Sequence, residues 1–252
     1  MESIENDDDF EAYTKKIENI LSADARERLF QDYIIRPFLQ SILIAYDVVP
    51  TDTKISGKQH DYSLYCGKYG YYFKDEFKQT FETPDLCIAK DWKWLNNSKS
   101  KQDYIATVEV KTVYSNNEFW ISPGYIGNNI VFGNRVSDIV DFVNDHHSIE
   151  DDTNPVRDIK KQINIHLRGI SKLIITDGVR WVFFYKNHKN ICYALPPIDL
   201  GKRECKKSKT LYNTVRIKWD GSKQFEILKY IIYEFCSREI EAIPDLENNL
   251  NC

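Results

Sequence analysis

The chain has 252 residues, of which 42% are apolar, so it can bury a substantial hydrophobic core in one large domain. Charged residues make up 29% and aromatic residues 13%, which excludes a disordered or fibrous protein. The formal net charge of −4 excludes a globally basic protein, although a local basic patch or a bound cation still permits a nucleic-acid ligand.

The cysteines and the first residues predict a cytoplasmic protein. Six cysteines are scattered along the chain without a Cys-x-x-Cys pair, which indicates reduced thiols and not a disulfide framework. The N-terminus is acidic, unlike a secretory signal peptide, and no apolar run reaches the length of a membrane span. We therefore expect no membrane association.

In the first half of the chain, helical spacing of apolar residues gives way to strand-like stretches rich in aromatic residues. Pro37 stands inside the helical stretch and is expected to kink or divide it, and Ser22 and Asp24 are candidate N-caps for the second part. The predicted elements are a helix over about 11–44, a strand-like region over 47–82 with a hairpin at 62–73, a strand after Asp85, and a strand over 105–112.

In the second half, helical and strand patterns alternate. Asp177-Gly178 between two runs of β-forming residues is typical of a tight hairpin turn, because glycine accepts a positive φ. The predicted elements are a short helix over 136–143, a helix that starts after Asn154-Pro155, a hairpin over 173–185, a strand over 213–219 and a helix over 223–240. We expect a single domain, 1–252, with its core at about 20–195 and an extension at 196–252.

Two opposite charges lie within the predicted strand 105–112. Side chains alternate across a strand, so Glu109 and Lys111 project from one face while Val108 and Val110 line the other. Charges among apolar neighbours need good partners or a task. With Asp85 entering another strand, the pattern suits a divalent cation held against a phosphate. Asp85, Glu109 and the carbonyl of Val110 are the expected Mg²⁺ ligands, and Lys111 can orient the attacking water or stabilise phosphate charge.

These residues resemble a known group of enzymes. Thr83-Pro84-Asp85 followed by Val108-Glu109-Val110-Lys111 resembles the PD-(D/E)xK nuclease superfamily, and more narrowly the nuclease domain at the N-terminus of type I restriction enzyme motor subunits. Three further stretches are similar to parts of that domain, in the same order, so that the resemblance covers about residues 20–185. They are residues 25–39 with Glu27, which match its first helix, Gln162 to His166, which match its Gln-x-x-x-Tyr motif, and residues 173–184, which match the following hairpin.

The resemblance implies a fold and an activity. The fold is α/β and restriction-endonuclease-like, with a central mixed β-sheet flanked by helices. The activity is DNA cleavage that depends on Mg²⁺, with Mn²⁺ as a substitute, and leaves a 5′-phosphate. The catalytic residues carried over onto this chain are Asp85, Glu109, Lys111, Gln162 and Glu27.

The chain departs from the family in two respects. His166 stands where the family has tyrosine, so the family's role for that tyrosine is not carried over. The sequence has no Gly-x-x-x-x-Gly-Lys-Ser/Thr motif, so the ATP-driven motor of those subunits is absent from this chain. Other interpretations remain open. Glu109 and Lys111 are also compatible with a cross-strand ion pair on a solvated face. Gln162 and His166 are equally compatible with boundary positions that face water, and Glu27 with a surface helix.

Five basic residues form the densest positive run and are predicted to hold a nucleic-acid backbone. A solvated loop is the alternative. They are Lys202, Arg203, Lys206, Lys207 and Lys209.

The leading hypothesis is a Mg²⁺-dependent DNA endonuclease in restriction of, or defence against, foreign DNA. Its expected partners are DNA and either a second copy of the chain or other restriction subunits. The alternative is a non-catalytic nucleic-acid-binding or interaction module that keeps the fold. Cleavage of RNA is a third reading, since the same chemistry permits it.

Overall fold

The protein is an α/β protein with a mixed central β-sheet flanked by helices. The computed structural model describes residues 7–23, 26–50, 73–75, 78–80, 84–91, 103–111, 124–126, 129–132, 135–145, 159–206 and 214–250.

The strands in this part of the chain are numbered in chain order. They are β1 (Asp47–Pro50), β2 (Phe73–Asp75), β3 (Lys78–Thr80), β4 (Leu86–Lys90), β5 (Asp103–Val110), β6 (Gly124–Ile126), β7 (Asn129–Phe132), β8 (Lys172–Thr176), β9 (Arg180–Lys186), β10 (Cys192–Ala194), β11 (Ile198–Asp199), β12 (Gly201–Lys206) and β13 (Thr214–Trp219).

The central sheet has the strand order β1-β4-β5-β8-β9-β10, and β11 also pairs with β9. The pairs are antiparallel except β5 with β8, which run parallel. A second sheet has the order β13-β12-β6-β7, and β2 pairs with β3. The parallel pair sets the end of β5 beside the end of β8, and the candidate site lies there.

The helices are likewise numbered in chain order. A π-helical segment, Gln31–Ile35, connects α2 to α3, so that residues 27–42 form one helix. The α-helices are α1 (Asp7–Ala23), α2 (Glu27–Phe30), α3 (Arg36–Ile42), α4 (Val136–Asp145), α5 (Ile159–Gly169), α6 (Ser222–Ser237) and α7 (Glu247–Leu250), with 3-10 turns at Ile240–Ala242 and Pro244–Leu246.

Two hydrophobic cores cover the two faces of the central sheet, because successive strand residues face opposite sides. The first core joins α1, the helix over 27–42 and α6 to alternate strand residues such as Val108, Ile174 and Phe183. The second joins α4 and α5 to the intervening residues, such as Ile175 and Phe184. Burying one such side chain contributes about 1.5–3 kcal/mol, so the sheet is held firmly from both sides.

The hairpin turn between β8 and β9 is fixed to the first core. The Asp177 carboxylate accepts the backbone N–H groups of Val179 (3.0 Å) and Arg180 (2.8 Å). Gly178 has a φ of +80°, and a Cβ there would lie 2.5 Å from Phe30. The Tyr13 hydroxyl donates to the Gly178 carbonyl at 2.9 Å. The predicted hairpin with glycine at the turn is therefore confirmed.

The structure confirms the helix 136–145, the strand 214–219 and the helix 222–237, but corrects the N-terminal helix. The predicted helical stretch over 11–44 is divided into two helices that both pack on the first core, but the second begins at Glu27, so the division is not at Pro37. The second of them continues through Pro37, which has no N–H to donate, directly after the π-helical segment.

Two predicted elements lie outside the described residues, and the predicted extension at 196–252 contributes to the first core. The hairpin within 62–72 and the helix start near residue 154 are outside the described ranges. The segment 196–252 supplies Leu200, Phe225 and Leu246 to the first core. Across the described ranges, no helix has both the length and the apolar character needed to cross a membrane.

Candidate active site

The strand register brings Asp85 and Glu109 onto the same face of the sheet. Leu86 of β4 lies opposite Val108 of β5, so Asp85, which precedes Leu86, stands across from Glu109. Residues opposite each other in an antiparallel pair project to the same side. The Asp85 carboxyl also accepts the backbone N–H of Val110 at 2.7 Å, which ties it to the end of β5.

Glu109 and Lys111 form a buried ion pair at the end of β5. The Lys111 ammonium lies 2.5 Å from one oxygen of Glu109, and both side chains are almost fully buried. The backbone N–H of Lys111 donates to the carbonyl of Thr176 at 2.8 Å, which extends the pairing of β5 with β8 by one residue. The alternative reading, an ion pair on a solvated face, is excluded by this burial.

The charges of these two groups are fixed by their surroundings. Burial alone would raise the pKa of Glu109, but the Lys111 ammonium and the His166 hydrogen bond lower it to about 2. Burial alone would lower the pKa of Lys111, but the carboxylates of Glu109, Glu27 and Asp85 raise it above its ordinary value. Glu109 is therefore a carboxylate and Lys111 an ammonium at neutral pH.

Asp85 behaves in the opposite way. Burial raises the pKa of Asp85 well above its usual range, and the charge of Glu109 raises it further, against the lowering effects of Lys111 and the Val110 N–H. A carboxyl in this position favours the protonated form unless a further positive charge joins the group. Such a pair of carboxyls, pushed in opposite directions, is frequent at functional sites.

The helix over 27–42 approaches the start of β4 from the other layer. The carboxylate of Glu27, which is half-buried, acts electrostatically on both Asp85 and Lys111. Gln31, one turn later, donates from its side-chain amide to the Asp85 carbonyl at 3.2 Å and is 1% exposed. Gln31 was not predicted as a site residue, although its sequence position, four residues after Glu27 and next to Phe30, indicates the same helix face as Glu27.

Helix α5 presents two polar side chains on the face of the sheet that carries Glu109. Gln162 and His166 are both buried, so the reading in which they face water is wrong. His166 is 2% exposed, and its Nε2 lies 3.2 Å from the second oxygen of Glu109. The structure thus brings His166 directly to Glu109.

The predicted basic surface is only partly as expected. Lys202 is exposed and pairs with Asp220 at 3.7 Å, but Arg203 is 1% exposed and lies 3.9 Å from the buried Asp177. The prediction that Arg203 holds a phosphate backbone is wrong, because β12 is a strand and alternation turns every second side chain inward. The side chain of Lys206, and all of Lys207 and Lys209, lie outside the described residues.

The donor atoms at this site match the requirements of Mg²⁺. Within the described part of the chain, no three or more His, Cys, Asp and Glu side chains form a cluster that could hold a metal ion. Mg²⁺ does not need such a cluster, because it binds through one or two carboxylates and keeps several waters. A strand residue directs its N–H and C=O towards the same neighbour, so the Val110 carbonyl faces the side on which Asp85 lies.

Comparisons with protein-family models, with curated proteins and with solved structures found no match.

Proposed function

We propose that this protein is a Mg²⁺-dependent endonuclease that hydrolyses DNA phosphodiester bonds in restriction of, or defence against, foreign DNA. One observation carries the proposal: Asp85 and Glu109 share a face at the end of β5, with the ammonium of Lys111 against Glu109. Buried ionisable groups are unfavourable without partners, so a site that keeps three of them together is one expected to use them.

The carboxylates of Asp85 and Glu109 and the carbonyl of Val110 are the groups that would hold Mg²⁺, or Mn²⁺ in its place. When bound, the cation supplies Lewis-acid chemistry, which activates water and neutralises charge on the phosphate. The raised pKa of Asp85 is compatible with this assignment, because its causes, burial and the charge of Glu109, are unfavourable interactions that a bound cation would offset.

Lys111 contributes charge and hydrogen bonds, not proton abstraction. Its pKa is raised by the neighbouring carboxylates, so it has no free electron pair with which to accept a proton from water. An ammonium can donate to a non-bridging phosphate oxygen, where negative charge grows during attack. Hydrolysis forms a bond between the water oxygen and phosphorus and breaks the bond to the departing 3′ oxygen, which leaves a 5′-phosphate.

The choice of DNA as substrate rests on the resemblance, and the protein partners follow from it. A second copy of the chain or other restriction subunits are the expected partners. Cys87, Cys192 and Cys236 are buried thiols, which fits an enzyme that acts in the reducing cytoplasm.

Cleavage of covalently closed circular DNA tests the proposal. With Mg²⁺ the purified protein is expected to cut the circle internally, and the variants Asp85→Ala and Lys111→Ala are expected to abolish cutting while both still unfold cooperatively. Asp199→Ala is the matched control, because Asp199 forms an ion pair with Arg180 at 2.6 Å on another part of the sheet. Wild-type cutting rates in the Asp85 and Lys111 variants would overturn the assignment.

One observation favours a second candidate, a nucleic-acid-binding module that keeps the fold without catalysis. Lys111 already neutralises Glu109, so that ion pair has a structural explanation that needs no cation. Titration calorimetry with Mn²⁺ separates the two. The nuclease requires binding that is lost in Asp85→Asn, whereas the module binds DNA without any measurable heat from the metal.

A further inference from the structure

His166 holds the second oxygen of the central carboxylate. Its Nε2 lies 3.2 Å from Oε2 of Glu109, while the Lys111 ammonium lies 2.5 Å from Oε1. The two donors come from different layers of the fold, one from α5 and one from the strand end that carries Glu109 itself. Both oxygens of the Glu109 carboxylate are therefore held, and the group has little freedom to rotate.

The direction of the contact with His166 follows from the ion pair that Glu109 forms with Lys111. Glu109 forms a buried ion pair with the Lys111 ammonium, and the oxygens of a carboxylate only accept hydrogen bonds. Nε2 of His166 must then carry the hydrogen and donate it. The imidazole is 2% exposed, so its ring is held in place by packing, as an orienting partner requires.

We infer that His166 is a positioning residue that fixes the Glu109 carboxylate in the orientation needed for cation binding. The inference rests on the proposed function. It gives a role to a position at which the chain departs from the family pattern. Orienting partners of metal-binding carboxylates act on affinity through preorganisation, and their loss typically lowers metal affinity or activity about 10- to 100-fold.

Two amide variants of the same chemical type test whether reach to Glu109 is what matters. In His166→Gln the terminal amide nitrogen stands about as far from the backbone as Nε2 of histidine, whereas in His166→Asn it falls one methylene short. Mn²⁺ affinity is measured by calorimetry on the full chain without DNA, and kcat and KM are measured on closed circular DNA with Mg²⁺. Thermal melting of each metal-free variant shows that it is folded.

The expected result is a loss of Mn²⁺ affinity of about 10- to 100-fold in His166→Asn and recovery of most of that loss in His166→Gln. At saturating Mg²⁺, kcat should recover in His166→Gln relative to His166→Asn. The KM for DNA should change far less between these variants, because His166 acts through Glu109. His166→Phe keeps a ring but has no donor, so it should lose Mn²⁺ affinity like the Asn variant. It tests the positioning role even if His166→Asn disturbs the packing.

Three outcomes separate the two claims. Equal Mn²⁺ affinity in the wild type, the Asn variant and the Phe variant would overturn the positioning role while leaving the nuclease intact. Equal loss in the Gln, Asn and Phe variants would also overturn it, because only a packing role predicts that pattern. A wild-type protein that neither binds Mn²⁺ nor cuts DNA would reject the proposed function itself, and the inference with it.

Discussion

The carboxyl of Asp85 accepts the backbone N–H of Val110 at 2.7 Å, and this bond joins the start of one central strand to the end of the next. It means that the side chain that the proposed cation requires is also used to pair β4 with β5. Asp85 nevertheless remains in unfavourable surroundings, since burial and the charge of Glu109 both raise its pKa. This conflict between stability and function is the basis of our first prediction.

We predict that Asp85→Asn stabilises the metal-free protein at neutral pH and abolishes cleavage. The raised pKa means that the protonated form of Asp85 is preferred in the fold, so the stability linked to that proton is present at low pH and is lost as pH rises through the raised value. Asparagine mimics the protonated form and can still accept the Val110 N–H. The expected gain is on the order of 1 kcal/mol in urea unfolding at pH 7.

The same variant should lose the effect of added metal. Mg²⁺ at millimolar concentration is expected to raise the melting temperature of the wild type and to leave that of Asp85→Asn unchanged, since only the native wild type binds it. A lower stability of Asp85→Asn than of the wild type at pH 7, without metal, would contradict the assignment of Asp85 as the strained carboxyl.

For Glu109 we predict the opposite dependence of stability on pH. Its pKa is lowered from 4.5 to about 2, so its contribution to stability is complete above pH 4.5 and is lost as the pH falls towards 2. This difference corresponds to about 3 kcal/mol. The measurement uses an Asp85→Asn background, which removes the opposing titration. From pH 5 to pH 2 the unfolding free energy of this variant should fall by about that amount more than that of the triple variant, which also carries Glu109→Gln and Lys111→Met.

The triple variant is the reference because neither member of the ion pair is charged in it. Its remaining acids titrate as in the parent, so the difference between the two curves isolates Glu109. If the two curves run parallel from pH 5 to pH 2, the ion pair with Lys111 does not lower the pKa of Glu109 in solution.

The sequence predicted those parts of the site that depend on alternation along one strand. Glu109 and Lys111 were placed on a common face because side chains alternate with a period of two, and Val108 and Val110 lie in the first core as expected. The hairpin at Gly178 was predictable because the turn needs a positive φ. These features are local, so neighbouring residues contain the information.

The features that the sequence did not predict depend on how the helices pack against the central sheet. Gln31 reaches Asp85 because the helix over 27–42 crosses the start of β4, and a π-helical segment begins at Gln31 itself. His166 reaches Glu109 because α5 packs on β8, the neighbour of β5, which no spacing along the chain specifies. Arg203 was misread because a run of basic residues hid the inward positions of a strand.

Gln31 provides a test of the contact between layers. Gln31→Met keeps the size of the side chain but removes the donor to the Asp85 carbonyl, so we expect a loss of about 1–3 kcal/mol in stability and a fall in cleavage rate. Gln40→Met is the matched control, because Gln40 also donates to a backbone carbonyl, that of Tyr46 at 2.8 Å, on an exposed part of the same helix. Equal cleavage rates in the two variants would show that Gln31 supports the fold and not the site.

Arg203 and Lys202 are sequence neighbours for which the structure predicts opposite behaviour. Arg203→Ala leaves the buried carboxylate of Asp177 without its cation, so we expect the free energy of unfolding to fall by about 3 kcal/mol. Lys202 has a side chain that is 66% exposed, so Lys202→Ala should change stability by less than about 0.5 kcal/mol. Both values can be measured by urea unfolding.

For DNA affinity we expect the reverse order, with a larger effect of Lys202→Ala than of Arg203→Ala. If Lys202 contacts a phosphate, Lys202→Ala weakens binding to all sequences alike and reduces the slope of log K against log salt by about one. At a temperature where Arg203→Ala is still folded, that variant should keep the wild-type slope, because a guanidinium 1% exposed cannot release a counterion from DNA. A reduced slope in Arg203→Ala would mean that β12 turns its other face to the nucleic acid and that the buried contact with Asp177 does not persist in the complex.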